Sequence, residues 1–317
     1  MPLLGIDLGG TKLALAIFDE SGAILFKKTI ALNKRSGRDV GELIVANITE
    51  TSTLNNYGPI DSIGICVPGI YRIKTGTVWA PNIKDWEDYP LLEQISKACV
   101  NMPVTIDSDR ACYILGEAWQ GNAKGCDDAI FLSVGTGIGA GILVNGNVLR
   151  GAHDIAGAIG WMALQRPFSS EYTNCGCFEQ FASGEGIAKT IKKLINETIN
   201  YAGELKRLKE VSAHDVFEAY KNNDPLAIKT IQLAIEFYGM ATANLVSLFN
   251  PEKIIFGGGV FGPAISLIPE VKKEAAKWAQ PISLKQVSFE ASSLGSDAGV
   301  YGAAFLALKD RVQNSTR

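Results

Sequence analysis

The chain has 317 residues, 47% apolar and 20% charged, a globular balance with room for one large core or two medium ones. The 30 Lys and Arg against 33 Asp and Glu leave a net charge of −3, which argues against nucleic acid as the main partner. No apolar run of roughly 18 residues predicts a membrane-spanning helix, and the start MPLLGIDLGG carries no secretory pattern. The six cysteines, Cys66, Cys99, Cys112, Cys126, Cys175 and Cys177, are sparse and mostly within apolar runs. They suit buried free thiols, and the expected location is the cytoplasm.

Residues 3–7 read as a strand, followed by a turn through Gly9, Gly10, Thr11 and Lys12 and a second strand over 13–18. Glu20-Ser21-Gly22 predicts a hairpin turn, and 23–29 a third strand. Helical spacing covers 40–53, and a buried strand over 60–67 ends at Pro68-Gly69. A helix over 91–99, a short strand over 104–107 and a helix over 108–119 follow. The plan then recurs. Residues 129–134 are a strand, Gly135-Thr136-Gly137-Ile138-Gly139 a glycine-rich turn, and 140–144 a strand. Asn145-Gly146 is a two-residue hairpin signal closed by 148–150. Helices are predicted over 184–201, 214–222 and 225–248. A short strand over 254–256 runs into Gly257-Gly258-Gly259, the last helix covers about 299–308, and the tail 313–317 is expected to fray.

Two three-stranded meanders, each with a glycine-rich turn, predict a duplicated α/β fold of two lobes with a cleft between them. The expected division is a smaller lobe over 1–108, with a helix over 303–317 packing back on it, and a larger lobe over 109–302. Asp7 to Lys12 joins two antiparallel strands, so its backbone N–H groups can approach a phosphate. Thr11 and Lys12 add a hydroxyl and a cation, and Asp7 can reach Mg2+, through water. It is not a P-loop, which would open a helix. The second turn likewise opens a strand, unlike a dinucleotide-binding loop. Two such turns in matching positions point to a bound nucleotide, and Gly257, Gly258 and Gly259 suit close packing against its base or ribose. Phosphoryl transfer to an alcohol needs positioning, charge neutralisation and a carboxylate to take the hydroxyl proton. Asp109, opening a helix after a short strand, is the candidate base. Asp107 is expected to cap that helix, a position that favours negative charge in any case.

Taken together, these segments resemble the ROK family (repressors, open reading frames, kinases). The markers are residues 7–12, Val67-Pro68-Gly69, Ala80-Pro81-Asn82, Asp109 with Leu115-Gly116-Glu117, and the turn 135–139. Further on stand Ala156-Gly157 with Gly160, Gly176-Cys177 with Glu179, Gly257-Gly258-Gly259, and Ala298-Gly299 with Gly302-Ala303-Ala304. The resemblance implies an actin/hexokinase-like (ribonuclease H-like) fold, ATP with Mg2+, a hexose-type acceptor and a homodimer, and it places the general base at Asp109. It implies sugar contacts at Gly69, Asn82, Ser108, Asp109, Ala158, Trp161 and Glu179.

Departures from the family pattern are specific. Its Asn-Asp-Ala-Asn is Ser108-Asp109-Arg110-Ala111 here, and its Glu-x-Gly-His is Ala158-Ile159-Gly160-Trp161. That Glu and His meet sugar hydroxyls around C1 and C2, and the His is also a zinc ligand. Of the family's cysteine segment only Cys177 matches, with Cys175 extra, so a four-ligand zinc site is not expected. The expected function is ATP-dependent phosphorylation of a hexose-type hydroxyl, the 6-OH. The alternatives are an N-acetylated amino sugar such as N-acetylmannosamine, another hexose such as allose, and a catalytically weak sugar-binding protein. A regulator of this family would carry a winged helix-turn-helix ahead of the segment that here begins at Asp7.

Overall fold

The computed structural model describes residues 2–100 and 102–315, which form two compact units. The first comprises Met1–Gly125, Val148–Ala156 and Ser293–Arg317, the second Cys126–Asn147 and Gly157–Ser292.

In the first unit the chain runs through β1 (Leu3–Leu8), β2 (Lys12–Phe18), β3 (Ile24–Ala31), α1 (Gly37–Ser52), β4 (Ser62–Val67), β5 (Ile70–Arg72), β6 (Thr77–Trp79), α2 (Leu91–Ala98), β7 (Val104–Ser108) and α3 (Asp109–Gln120). The sheet order is β3-β2-β1-β4-β7, with β5 and β6 a separate hairpin. The β1–β2–β3 meander is antiparallel, whereas β1, β4 and β7 run parallel. Strand alternation sorts the faces. Leu4, Ile6 and Leu8 of β1 and Ile63, Ile65 and Val67 of β4 join Ile44 and Ile48 of α1 in one core. Each fully buried Leu or Ile there contributes about 1.5–3 kcal/mol. The opposite face carries Leu3, Gly5 and Asp7 of β1.

The second unit holds β8 (Ala129–Val134), β9 (Ile138–Val144) and the start of β10 (Asn147–Val148). Then come α4 (Cys177–Ala182), α5 (Gly184–Glu197), α6 (Ala213–Lys221), α7 (Pro225–Phe249), β11 (Lys253–Gly257), α8 (Ile268–Ala275), α9 (Pro281–Gln286) and β12 (Ser288–Ala291). Its sheet order is β10-β9-β8-β11-β12. Ile130, Leu132 and Val134 of β8 pack with Phe178, Phe237 and Tyr238 in its core. The Asn145-Gly146 turn has both φ values positive, 50° and 71°, as the tight hairpin requires. The start of α7 is equally local in origin. Asp224 accepts hydrogen bonds from the N–H groups of Leu226 and Ala227, both at 3.0 Å, and Pro225 occupies the first helical position.

The chain returns to the first unit as α10 (Ala298–Ser315), which covers the second face of its sheet. Glycine makes the close approach possible. A Cβ on Gly5 would meet the Val300 carbonyl oxygen at 2.4 Å, and one on Gly64 the Ala303 oxygen at 1.7 Å. Of the expected fraying tail, residues 316 and 317 lie outside the described residues, and α10 runs to Ser315.

The compact units differ from the expected division at 108/109. Helix α3 follows β7 without a break and packs along α10, and buried Glu117 accepts hydrogen bonds from the N–H groups of Asn122 (2.7 Å) and Leu294 (3.3 Å). Residues 109–125 therefore belong with the first sheet, as do 148–156 and 293–302. The β5–β6 hairpin, α4, α8, α9 and β12 add to the predicted elements. They are three to eight residues long, too short for periodicity to register.

Candidate active site

Asp7 lies near the end of β1 on the face covered by α10. Across the parallel strands Asp7 pairs with Cys66 and Cys66 with Asp107, one step before the last pair, Val67 with Ser108. Burial pushes the Asp7 carboxyl upward, opposed by the Cys66 thiol and the Lys12 cation. At the start of α10, Gly299 leaves room for that carboxylate, since a Cβ there would meet Asp7 Oδ2 at 2.4 Å. The following turn is closed by Gly9 N–H donating to the Lys12 carbonyl at 2.9 Å, leaving Gly10, Thr11 and Lys12 exposed. Asn82 is beside this turn, its Cβ 3.3 Å from where a Gly10 Cβ would be. The structure thus brings one expected sugar contact to the expected phosphate turn.

Asp109 is the first residue of α3. Its Oδ1 accepts from Arg110 N–H at 2.8 Å. Burial pushes its carboxyl up to about 6; the Arg110 cation opposes the rise, and the Asp7 and Asp107 carboxylates add to it. The cap of α3 is Ser108, whose Oγ accepts from Ala111 N–H at 3.4 Å. This corrects the expectation for Asp107. Its side chain instead turns inward, 2% exposed, into a two-pronged ion pair with Arg150 (Nη1 to Oδ1, 2.6 Å; Nη2 to Oδ2). A buried carboxylate keeps its charge only with such a partner. Gly69 sits in the β4–β5 turn at φ +90°, with the Trp79 carbonyl oxygen 2.2 Å from where a Cβ would be.

In the second unit, the turn after β8 is closed by Gly135 N–H to Gly137 O at 2.9 Å. Gly184 N–H donates to Gly135 O at 2.8 Å, and Val260 N–H to Val134 O at 3.0 Å. These bonds draw the start of α5 and the turn after β11 onto the end of β8. The result is a cavity of about 440 Å3, lined among others by Gly135, Thr136, Glu185, His214, Phe217 and Gly259. The volume suits a nucleoside. Gly257 and Gly258 do not line it. A Cβ on Gly257 would strike the Phe131 ring at 2.3 Å, and Gly258, at φ +88°, folds back on the Val134 carbonyl. Their closeness serves the strand core, and only Gly259 faces the cavity. Glu185, His214 and Phe217 had no motif to mark them; the Ser212–Asp215 capping box locates the start of α6 but not what it faces.

Glu179 of α4 accepts from Ile138 N–H at 2.6 Å. Its Oε2 is 2.8 Å from the Cβ positions of both Gly137 and Gly160, so it joins the second glycine turn to the 158–161 segment. Burial raises its carboxyl. Ile159–Trp161 form a helical turn with Ala158 as its cap residue, and Trp161 is 57% exposed. Its indole is therefore not core filler. Cys177 is buried in the core beside Phe178, while the Cys175 thiol donates to Gln180 Oε1 at 3.3 Å.

Known proteins resemble this chain along nearly its whole length. The model of the ROK family matches residues 3–310. A glucokinase of Halalkalibacterium halodurans is 33% identical over 315 residues, 96% of this chain and 94% of that one. A xylose repressor of Caldicellulosiruptor bescii is 32% identical over 322 residues, 97% of this chain and 78% of the repressor. The solved structure of a ROK family glucokinase from Streptomyces griseus, in complex with glucose and AMPPNP, has a TM-score of 0.79 at 30% identity, over 98% of this chain and 100% of that one. With its repeated meander of actin/hexokinase-like type, matched along nearly its whole length, the chain belongs to the ROK family.

Proposed function

We propose that the chain is an ATP-dependent sugar kinase that transfers the γ-phosphoryl group of ATP to a hexose-type hydroxyl, the 6-OH, with Asp109 as general base. The observation that carries this reading is Asp109 itself, a carboxylate at the start of α3 with its proton affinity raised to about 6 by burial. A base poised there is ionised at neutral pH yet accepts a proton far more readily than an ordinary aspartate. The cavity beside Gly135, Thr136 and Gly259 takes the nucleoside, and the Gly9–Lys12 turn binds phosphate oxygens with Thr11 and Lys12. Asp7 would offer Mg2+ the oxygen ligand it prefers, through water, and the ion would neutralise phosphate charge. The sugar kinases and repressors of the family share this fold, so the intact base and turns, rather than the fold, favour the enzyme.

Gly69, Ser108, Glu179, Ala158 and Trp161 are assigned to the acceptor. Trp161 offers an exposed apolar face on which a pyranose can stack, and Ala158 removes a carboxylate contact. Both point to an acceptor that differs from glucose at C1 or C2, such as N-acetylmannosamine; allose is a further alternative. A coupled ATP assay over hexoses, 2-acetamido sugars and polyols, with the product phosphate located, tests this. Preference for glucose over every epimer and N-acetyl sugar sinks the acceptor assignment. Nucleotide binding without turnover on any sugar sinks the kinase and leaves a catalytically weak sugar-binding protein.

The protein is further assigned as a homodimer without zinc. Cys175 and Cys177 are engaged as described. Elemental analysis is expected to find well under one zinc per chain; one stoichiometric zinc overturns the assignment.

A further inference from the structure

The Arg110 side chain has been assigned nothing beyond the charge it places near Asp109, and it stands where the family pattern has a small, neutral residue. Its guanidinium reaches two separate segments of the first unit. Nη2 donates to the Gly69 carbonyl at 3.3 Å and Nη1 to the Ile155 carbonyl at 3.4 Å. Both bonds are long, but the donor is charged and planar, so the two contacts share one fixed fork. The segments it touches have little else to shape them. The β4–β5 turn depends on the left-handed Gly69. The 148–156 segment carries no regular structure beyond Val148 and contains Asp154 at φ +58°. It is otherwise tied by Arg150 to Asp107, by Ala156 N–H to Arg150 O at 3.0 Å, and by Asp154 Oδ2 accepting from Ile73 N–H at 3.3 Å. Arg110 itself sits on the first turn of α3, next to Asp109.

We propose that Arg110 is a positioning residue for the acceptor, clamping the Gly69 turn and the 148–156 segment against the start of α3 so that they frame the hydroxyl presented to Asp109. The proposal rests on the sugar-kinase reading. Alanine at this position leaves both carbonyls without this donor and both segments more loosely held. Lysine keeps the charge but, as a single point donor, cannot hold two carbonyls in a fixed fork. Its cation also holds the Asp109 carboxyl down, so the clamp is read from the sugar KM rather than from kcat.

The test compares the full chain with Arg110→Ala and Arg110→Lys, using glucose and N-acetylmannosamine as acceptors. In Arg110→Ala the KM for whichever sugar is phosphorylated is expected to rise about tenfold, because the acceptor is held in a looser frame. The KM for ATP is expected to stay within about twofold, since uniform binding is lost only on the acceptor side. Arg110→Lys is expected to recover part of the loss. Hydrogen exchange is expected to quicken in peptides covering 69–73 and 150–156 and nowhere else. An unchanged sugar KM, or an equal rise in the KM for ATP, overturns the proposal. If the unaltered chain phosphorylates none of the hexoses, 2-acetamido sugars or polyols of the panel above, the kinase reading is what has failed, and hydrogen exchange decides the clamp by itself. Unchanged exchange at 69–73 and 150–156 then overturns it, in Arg110→Lys if Arg110→Ala does not fold.

Discussion

Asp109→Asn is expected to lower the turnover of sugar phosphorylation by about 10²–10⁴-fold, the range general-base catalysis supplies, and to raise the stability of the folded chain at pH 7. The two effects have one cause. Burial lifts the carboxyl from 3.8 to about 6 in the folded state. Between about pH 4 and pH 6 the folded chain therefore holds a proton that the unfolded chain has released. Stability falls as pH climbs through that window and stays lower above it. The cost of keeping the charge is on the order of 2 kcal/mol, after reducing the full linkage value for partial solvent screening. Asparagine removes it. A carboxylate that merely stabilised the helix start would behave oppositely, and its loss would destabilise by about 1 kcal/mol. Denaturant titration of both proteins at pH 4 and pH 7 separates the two: the advantage of Asn must appear at pH 7 and vanish at pH 4. In the unaltered enzyme, kcat/KM for the sugar must climb about tenfold per pH unit below about 6 and level off above, because only the ionised carboxylate takes the proton. A flat profile down to pH 5 removes Asp109 as the base.

Arg150→Ala is expected to cost about 3–5 kcal/mol, because it strands the Asp107 carboxylate in the interior of the first unit. Asp107 is 2% exposed, and Arg150 reaches it from the 148–156 segment across 43 residues of sequence. Burial already pushes the Asp107 carboxyl upward, with Arg150 as the main opposing influence. Without the guanidinium it takes up a proton at a higher pH than before. The deficit of Arg150→Ala is thus present above that pH and shrinks as pH falls through it. Removing both charges, as Asp107→Asn with Arg150→Met, is expected to recover much of the loss. A deficit under about 1 kcal/mol at pH 7 shows that the pair behaves as a solvated surface pair.

The parts of the fold set by neighbours in the chain were legible in the sequence. The apolar strands predicted over 3–7 and 60–67, the Asn145-Gly146 turn, and the start of α7 at Pro225 each follow from side chains within a few positions of one another. The repeated meander followed from these, and with it the two glycine turns and the place of Asp109. Where a local reading was overruled, tertiary contact was the cause. Asp107 was expected to cap α3, but its ion pair with the partly exposed Arg150 holds it inward and Ser108 caps the helix instead. The Gly257-Gly258-Gly259 run was divided in the same way, because the Phe131 ring and the Val134 carbonyl occupy the space beside the first two.

The sequence by itself determined the family, the two phosphate-type turns and the candidate base, because turn chemistry and hydrophobic period act over a few residues. Only the tertiary structure decided that Glu185, His214 and Phe217 share a cavity with Gly135. It also decided that α3 belongs to the first unit, that the Trp161 indole is exposed, and that Arg110 meets Gly69 and Ile155. Those contacts join segments tens of residues apart. They depend on which strands pair in parallel and on how closely glycine lets a helix approach a sheet, and no local pattern encodes either.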